Sequence, residues 1–200
     1  IISSSAAGGI TISSYSNNNI LNNNLFASGT SVGITLSAST NNTFMNNTAT
    51  SNTSVGIILQ ASSTNNTFIN QTARTLGASG ANRYAIYISF SNNTLFRDCE
   101  NISGATGDVY YENIPSINNT FINCSYNSAK ETVQGTGSYL VRKWYYQAYV
   151  NYSNGTIASG ANVTAYNTTG LLQFTELTNS SGWIQRKEII EYNNAAGTRS

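Results

Sequence analysis

The sequence predicts an all-β fold, in which a repeating solenoid of about five coils precedes a small antiparallel β-sandwich. Three observations predict it. The polar residues are mostly Asn, Ser, Thr and Gly, which favour turns and strands. Hydrophobic residues make up 40% of the chain and are spread along its length, so a core can form. A motif built on paired asparagines recurs at intervals typical of a solenoid.

The recurring motif is an asparagine pair followed by Thr and a large apolar residue. TNNTF begins at residues 40 and 64, SNNTL begins at 91, INNTF begins at 117, and NNNIL at 17 is a weaker copy. Aligned on the large residue, the copies are 24, 24, 27 and 26 residues apart. This alignment predicts that the residues pointing into the core are Ile20, Phe44, Phe68, Leu95 and Phe121.

A second strand precedes each asparagine pair. GITIS (9–13), VGITLS (32–37), VGIILQ (55–60), YAIYIS (84–89) and DVYYEN (108–113) alternate in the way of half-buried strands. Repeats of two strands, without a leucine consensus or a helix, favour a parallel β-helix over a leucine-rich repeat. Asparagine tolerates the left-handed backbone of a tight corner, and its amide can bond to the copy in the next coil. We therefore interpret the motif as a structural corner.

These motifs resemble those of right-handed parallel β-helix repeat proteins, particularly the NosD-like group of archaeal and bacterial surface proteins. The resemblance covers about residues 1–128 and implies the fold. It leaves the function open, because this architecture carries lyases, adhesins, tailspikes and scaffolds. Copper handling, which the NosD-like name suggests, lacks its ligands, since the chain has no His and Met45 is its single Met. No cofactor is expected.

The repeat stops near residue 128. Residues 129–138 are interpreted as a polar linker, and residues 139–200 as a β-sandwich module completed by residues outside this sequence or by another chain. SGANVTAYN (159–167) and TNSSGWIQ (178–185) resemble carboxypeptidase-regulatory-like and Ig-like modules, which serve mostly as spacers. The tyrosines expected to pack the junction, or else to bind sugar rings or a protein, are Tyr139, Tyr145, Tyr146, Tyr149 and Tyr152.

Composition and charge exclude several classes of partner. Only 8% of residues are charged and the net charge is +1, which does not suit nucleic acid. No run of apolar residues reaches the length of a membrane span, so this segment is not expected to insert into a membrane. The chain begins without Met or a leader and is interpreted as a piece of a longer extracellular protein.

The region in which catalysis is most plausible contains Asp98, Glu100 and Asp108. Polysaccharide lyases and glycosidases need convergent carboxylates, which only this region offers. The basic residues nearby are Arg74, Arg83 and Arg97. We expect no catalysis, and convergence of the three carboxylates in a groove with an Arg would show otherwise.

The two cysteines lie at nearly the same place in adjacent coils. Cys99 follows Leu95 by four residues and Cys124 follows Phe121 by three. Stacked strands place Cα atoms about 4.8 Å apart, within the range of about 4.4–6.8 Å for a disulfide. The spacing predicts a Cys99–Cys124 bridge, in keeping with an extracellular setting.

Sequons are the densest sequence signal, and they predict heavy N-glycosylation. The corner residues Asn41, Asn65, Asn92 and Asn118 are expected to be shielded by an inward ladder. The other ten are Asn46, Asn52, Asn70, Asn101, Asn123, Asn151, Asn154, Asn162, Asn167 and Asn179.

Taken together, these features predict an extracellular structural subunit or segment of a cell-surface layer, filament or adhesin. Its expected partners are copies of itself and glycans. Solenoid ends leave strand edges that invite pairing, so end-to-end contacts through residues 1–12 and 139–150 are expected. The alternative is a carbohydrate-binding or carbohydrate-active β-helix of the lyase or glycosidase type.

Overall fold

A computed structural model describes residues 2–4, 9–77 and 81–200. It confirms the all-β class and the parallel β-helix. Over the described residues the right-handed solenoid makes about six turns, against the five expected. The sixth turn comes from residues after 128 that were interpreted as linker and sandwich.

Each of the four coils between residues 10 and 103 contributes one strand to each of three sheets, in which strands pair in parallel from coil to coil and which we name by the residues that dominate them. The isoleucine sheet comprises β2 (Ile10–Ser13), β5 (Ile34–Ser37), β8 (Ile57–Gln60), β11 (Tyr84–Ile88), β14 (Gly107–Tyr111) and β16 (Glu131–Val133). The threonine sheet comprises β1 (Ile2–Ser4), β4 (Leu25–Ser28), β7 (Thr48–Ser51), β10 (Thr72–Thr75) and β13 (Glu100–Ser103). The phenylalanine sheet comprises β3 (Ile20–Asn22), β6 (Thr43–Met45), β9 (Thr67–Ile69), β12 (Leu95–Arg97), β15 (Asn119–Ile122), β17 (Tyr139–Tyr146), β20 (Lys187–Ala195) and β21 (Thr198–Arg199).

The inward series of the phenylalanine sheet differs from the expected one in two coils. It is formed by Leu21, Phe44, Phe68, Phe96 and Phe121. Ile20 is 71% exposed, and Leu95 pairs with Thr67 on the outer face. Because successive side chains of a strand point to opposite faces, an alignment that is wrong by one residue exchanges inside and outside.

The four phenylalanines of this series form a continuous stack through the core. The ring centroids of Phe44 and Phe68 are 4.6 Å apart, those of Phe68 and Phe96 are 4.8 Å apart, and those of Phe96 and Phe121 are 4.6 Å apart. Neighbouring planes diverge by at most 12°. The strand spacing of about 4.8 Å therefore brings identical rings into direct contact from coil to coil.

The asparagine pairs form the corners, as expected, and the two members of a pair have different roles. The first member, such as Asn41 (φ 58°) or Asn65 (φ 56°), adopts the left-handed backbone. In the pairs 41–42, 65–66 and 118–119 the second member is buried and forms a ladder. The fourth coil is shifted by one residue, so that Asn93 has the left-handed backbone (φ 55°) and Thr94 is buried in its place. Asn42 Oδ1 accepts hydrogen bonds from Asn19, and Asn66 Oδ1 accepts one from the Asn42 backbone N–H at 2.9 Å.

The expected linker at 129–138 is wrong for its first half. A short 3₁₀ turn at Ser128–Lys130 leads into β16, which pairs in parallel with β14 as a further rung of the isoleucine sheet. The strand β17 is also not an open edge, since β15 and β20 flank it within its sheet. Residues 139–146 therefore do not offer the free edge that end-to-end pairing required.

The chain divides into two compact units, with a boundary that differs from the expected one. One unit contains the chain up to Arg142 together with Tyr192–Ser200, and the other is Lys143–Glu191. Within the second unit, β18 (Asn162–Tyr166) and β19 (Leu172–Leu177) form a two-stranded antiparallel sheet. A sandwich is not confirmed; the unit's other strand residues, 143–146 and 187–191, belong to β17 and β20 of the phenylalanine sheet.

Three of the expected boundary tyrosines pack against residues of the second unit, in which they lie. Tyr146 contacts Phe174 with ring centroids 5.9 Å apart, and Tyr149 contacts Trp183 at 5.0 Å. The Arg186 guanidinium lies 4.0 Å from the centre of the Tyr145 ring. Tyr152 is 60% exposed.

Candidate functional surfaces

The three candidate carboxylates do not form one site. Asp98 lies at a corner, where its Oδ1 accepts a hydrogen bond of 2.7 Å from Asn123 Nδ2. Glu100 begins β13 and is exposed. Asp108 is buried in β14 and accepts hydrogen bonds from backbone N–H groups of Gly104 and Asn127 at 3.0 and 2.9 Å. Their partners identify Asp98 and Asp108 as contacts between chain segments.

Asp108 also has a charged partner. Its Oδ1 lies 3.3 Å from Lys130 Nζ, and the same ammonium donates to the Gly104 carbonyl. A buried carboxylate is tolerated only when hydrogen bonds and an opposite charge replace its water. Asp108 meets both conditions and so holds the 3₁₀ turn against the coil before it.

A second buried carboxylate, Glu131, was not singled out from the sequence. Its Oε2 accepts hydrogen bonds from Tyr126 (2.5 Å) and Tyr192 (2.8 Å), and its Oε1 accepts from Asn194 (2.7 Å) and lies 3.2 Å from Arg199. We call these five residues the Glu131 cluster. Burial, and next the negative charge of Glu131, raise the pKa of Tyr126 well above its usual range.

The structure corrects the predicted disulfide, because both cysteines are free thiols and both are buried. The Cys99 thiol donates to the carbonyl of Arg97 and the Cys124 thiol to that of Ile122. With Phe96 rather than Leu95 in the core, each Cys lies three residues after its Phe, so the offset seen in the sequence disappears. Burial, and next the neighbouring Cys99, raise the pKa of Cys124.

The cysteines continue a ladder of amides on the inner side of the second corner. Asn47 Oδ1 accepts hydrogen bonds from the backbone and side chain of Asn24 in the preceding coil. Gln71 occupies the same position in the third coil, and Cys99 occupies it in the fourth. The buried Gln71 Oε1 has no hydrogen-bond partner. A thiol is a weak donor, so the exchange of amide for thiol leaves the ladder incomplete at this coil.

The predicted glycosylation sites lie on the outside of the described chain. Thirteen of the fourteen sequon asparagines are exposed, and Asn92 is half-buried. The expected shielding of Asn41, Asn65 and Asn118 is wrong, because the ladder buries the second residue of each pair. Asn154, Asn167 and Asn179 in the second unit each accept a hydrogen bond from the backbone N–H two residues on, so they also close turns.

The outer face of the isoleucine sheet carries a group of aromatic side chains that sequence reasoning missed. Tyr87 and Tyr110 are paired in register, and the rings of Tyr84 and Tyr110 stack with centroids 4.1 Å apart and planes 13° apart. The Tyr87 ring lies 5.3 Å from that of Tyr110 and is tilted by 32°. We call Tyr84, Tyr87 and Tyr110 the tyrosine platform.

A glycine makes room for this arrangement. Gly107 pairs with Tyr84, and a Cβ added to it would lie 3.1 Å from the Tyr84 ring. The Tyr84 ring can therefore lean across Gly107 toward Tyr110. The sequence contains a signal for the platform. Each strand of the isoleucine sheet has one outward position between two core residues, and this position is Thr11 and Thr35 in the first two coils but Tyr87 and Tyr110 in later coils.

A shallow groove of about 350 Å³ runs beside the platform. It is lined by Ser54, Val55, Ile58, Asn82, Tyr87, Tyr110 and Glu112. Glu112 accepts a 2.5 Å hydrogen bond from Ser89 Oγ. Burial, and next the interaction with the Glu112 carboxylate, raise the pKa of Tyr87, which therefore keeps its proton.

Among the described residues, no three Cys, Asp or Glu side chains come together in a group that could hold a metal ion. None of their helices has the length and apolarity needed to cross a membrane.

The stacked coils define the chain as a parallel β-solenoid protein, and comparison with known families gives a narrower assignment. The family model for the right-handed β-helix region matches residues 1–125, so the chain belongs to that family. Comparison with curated proteins and with solved structures found no match. The family is compatible with surface proteins and with carbohydrate-active enzymes, so it leaves the function open.

Proposed function

We propose that this chain is an extracellular structural segment of a cell-surface layer, filament or adhesin, N-glycosylated and without catalytic activity. The observation that supports the proposal most is the division of roles within the asparagine pairs 41–42, 65–66 and 118–119. The buried member links neighbouring coils, and the exposed member presents its amide to the exterior within a sequon. This arrangement suits a scaffold that carries glycans on its outer surface.

The buried carboxylates support a scaffold role over an enzymatic one. Asp108 and Glu131 have their oxygens occupied by backbone N–H groups, tyrosine hydroxyls, an amide and basic side chains. Catalytic acids and bases need access to a substrate proton. Both groups instead link segments of the chain, so we assign them to stability.

Glycosylation is tested by intact-mass analysis of the protein isolated from its native source. We expect a mass well above that of the bare chain, with the added mass removed by chemical deglycosylation. Peptide mapping should place the glycans on exposed asparagines such as Asn41, Asn65 and Asn101. For the corresponding 200-residue segment, a mass of 21.4 kDa would contradict the proposal.

Assembly with copies of itself is a further part of the proposal. Within the described chain, β1, β2 and β3 each pair on one side only and form the outermost strands of the three sheets. Unpaired strand edges are templates for another chain. Residues 1 and 5–8 of the contact region expected from the sequence lie outside the described residues.

The assembly proposal is tested by electron microscopy of the native material and by light scattering of the full-length protein. We expect filaments or a lattice, and we expect Thr11→Pro in β2 to weaken them because proline removes a backbone donor from the edge. Monodisperse monomer under conditions that preserve the native surface would contradict the proposal.

A carbohydrate-binding role is the second candidate, and the tyrosine platform is the observation that favours it. The chemistry of the groove beside that platform determines which carbohydrate it suits.

A further inference from the structure

The tyrosine platform has the geometry of a surface that contacts flat apolar ligands. Tyr84 and Tyr110 stack on each other, which holds both rings in place, while the tilted Tyr87 ring and Tyr110 line the groove. All three side chains are half-buried, so part of each ring is open to solvent. Tyrosine offers a rigid apolar face and a polar edge, and few rotamers are lost when a ligand binds it.

Polar groups at the margin of the platform can bind hydroxyl groups. Glu112 and Asn82 line the same groove. The Tyr110 hydroxyl donates to Gln134 at 3.1 Å, which places a second amide beside the rings. Carboxylates and amides each offer two atoms in one plane, which suits two neighbouring hydroxyls of a sugar. An apolar ring face beside planar hydrogen-bonding groups matches the two kinds of surface that a pyranose presents.

The charge of the groove narrows the ligand class. Ser89 donates a hydrogen bond of 2.5 Å to the Glu112 carboxylate, and among the described residues Glu112 forms no ion pair. The groove therefore carries a negative charge that repels the carboxylates of uronic acids, and it favours neutral sugars.

We propose that the tyrosine platform and Glu112 form a binding site for a neutral oligosaccharide, and that Glu112 excludes acidic ones. The groove volume of about 350 Å³ is at the lower end of ligand sites, which begin near 300 Å³. A site of this size contacts one or two sugar rings at a time. This role goes beyond that of a scaffold, and the groove lies beside the outer face of the isoleucine sheet and not at the asparagine-pair corners.

The test uses the full chain and two neutral probes, cellohexaose and chitohexaose, with hexagalacturonate as the acidic probe. Binding is measured by saturation-transfer NMR and isothermal titration, with each probe up to about 5 mM, where even a millimolar Kd is detected. We expect at least one neutral probe to bind, with magnetisation transferred to its ring protons. We expect hexagalacturonate to bind roughly tenfold more weakly or not at all.

Variants separate the binding role of the tyrosines from their part in the sheet. Tyr87→Ala and Tyr110→Ala should each weaken neutral binding roughly tenfold, because an aromatic contact is lost. Tyr87→Phe keeps the ring and should lose only about threefold. Tyr166→Ala, an equally aromatic but 63% exposed position in the second unit, is the matched control and should bind as the unchanged chain does.

Glu112→Gln tests the selectivity directly, since a purely structural Glu112 would not affect the choice between probes. We expect this variant to keep neutral binding within about threefold and to reduce the preference for the neutral over the acidic probe by about tenfold. The proposal is overturned if neither neutral probe binds, if Tyr87→Ala and Tyr87→Phe bind like Tyr166→Ala, or if Glu112→Gln keeps the full preference. None of these results bears on native mass or assembly, which test the scaffold role separately.

Discussion

The repeating corners and the last coil are stabilised by opposite kinds of contact. In the corners, uncharged asparagine amides bond to their own copies in neighbouring coils, as Asn42 does to Asn66. In the last coil, the carboxylate of Glu131 gathers four different side chains. A ladder of identical groups requires another copy above and below, and the final coil has no further copy, so unlike groups must complete its hydrogen bonds.

The comparison also separates local from distant contacts. Ladder partners are 23 to 25 residues apart in the sequence, which is one coil. The partners of Glu131 include Asn194 and Arg199, which are 63 and 68 residues away. The last coil is thus closed by a chain segment that returns after the whole second unit. Loss of one ladder bond should weaken two coils, whereas loss of Glu131 should release the returning segment.

The largest effect is expected for Glu131→Ala. The change leaves the hydroxyls of Tyr126 and Tyr192 and the amide of Asn194 without their acceptor, and the Glu131 side chain is fully buried. Breaking such a buried charged cluster costs about 3–5 kcal/mol. Urea denaturation should show this loss in the free energy of unfolding of the solenoid. Glu100→Ala, at an exposed carboxylate in β13, should change it by less than about 0.5 kcal/mol.

A somewhat smaller effect is expected for Asn66→Ala in the middle of the corner ladder. The Asn66 side chain accepts from Asn42 and donates to the Ser39 carbonyl, and all three residues are buried. We expect a loss of about 2–3 kcal/mol, since buried polar groups lose their partners. Its neighbour Asn65 provides the matched control, because Asn65→Ala keeps the ladder and costs only about 1 kcal/mol for the left-handed backbone. Equal losses for the two variants would refute the division of roles within the pair.

Alkaline pH should destabilise the C-terminal coils selectively. The pKa values of Cys124, Tyr111 and Tyr126 are raised in the folded chain, chiefly by burial. The folded state therefore binds these protons more tightly than the unfolded state. The stability they contribute is complete below the unfolded pKa values, about 8.5 for Cys and 10 for Tyr, and is lost as pH rises further.

The measurement is the urea midpoint as a function of pH from 7 to 11. We expect a decline that begins above roughly pH 8.5 and becomes steeper near pH 10. Cys124→Ser should remove the first part of the decline relative to the unchanged chain. A midpoint that stayed constant or rose across this range would contradict the assignment.

The smallest effect concerns thiol reactivity. Cys99 and Cys124 are buried free thiols, so iodoacetamide at pH 8 should label neither in the folded chain and both after denaturation without reductant. Mass spectrometry counts the labels. If denaturation released no reactive thiol until a reductant was added, the mature protein would contain the bridge that the sequence spacing predicts.

The sequence by itself determined the class of fold, because the features that specify it are local. The asparagine pairs and the alternation of strand residues are visible in short stretches such as TNNTFMNN, and the repeat length is visible when successive copies are aligned. The β-helix that these features predict is confirmed. The positive φ of Asn41 and Asn65 follows from the same local chemistry. The second module, whose motifs resemble those of a sandwich, lacked a repeat to support the interpretation, and no sandwich is confirmed.

The tertiary structure alone decided which residues meet across coils. Register depends on the number of residues in each loop, and one extra residue in the fourth coil exchanges Leu95 for Phe96 in the core. The Glu131 cluster joins segments more than 60 residues apart, and the tyrosine platform joins two coils through a gap at Gly107. No local pattern encodes such distances. They exist only when the stacked coils bring the segments within a few ångströms of each other.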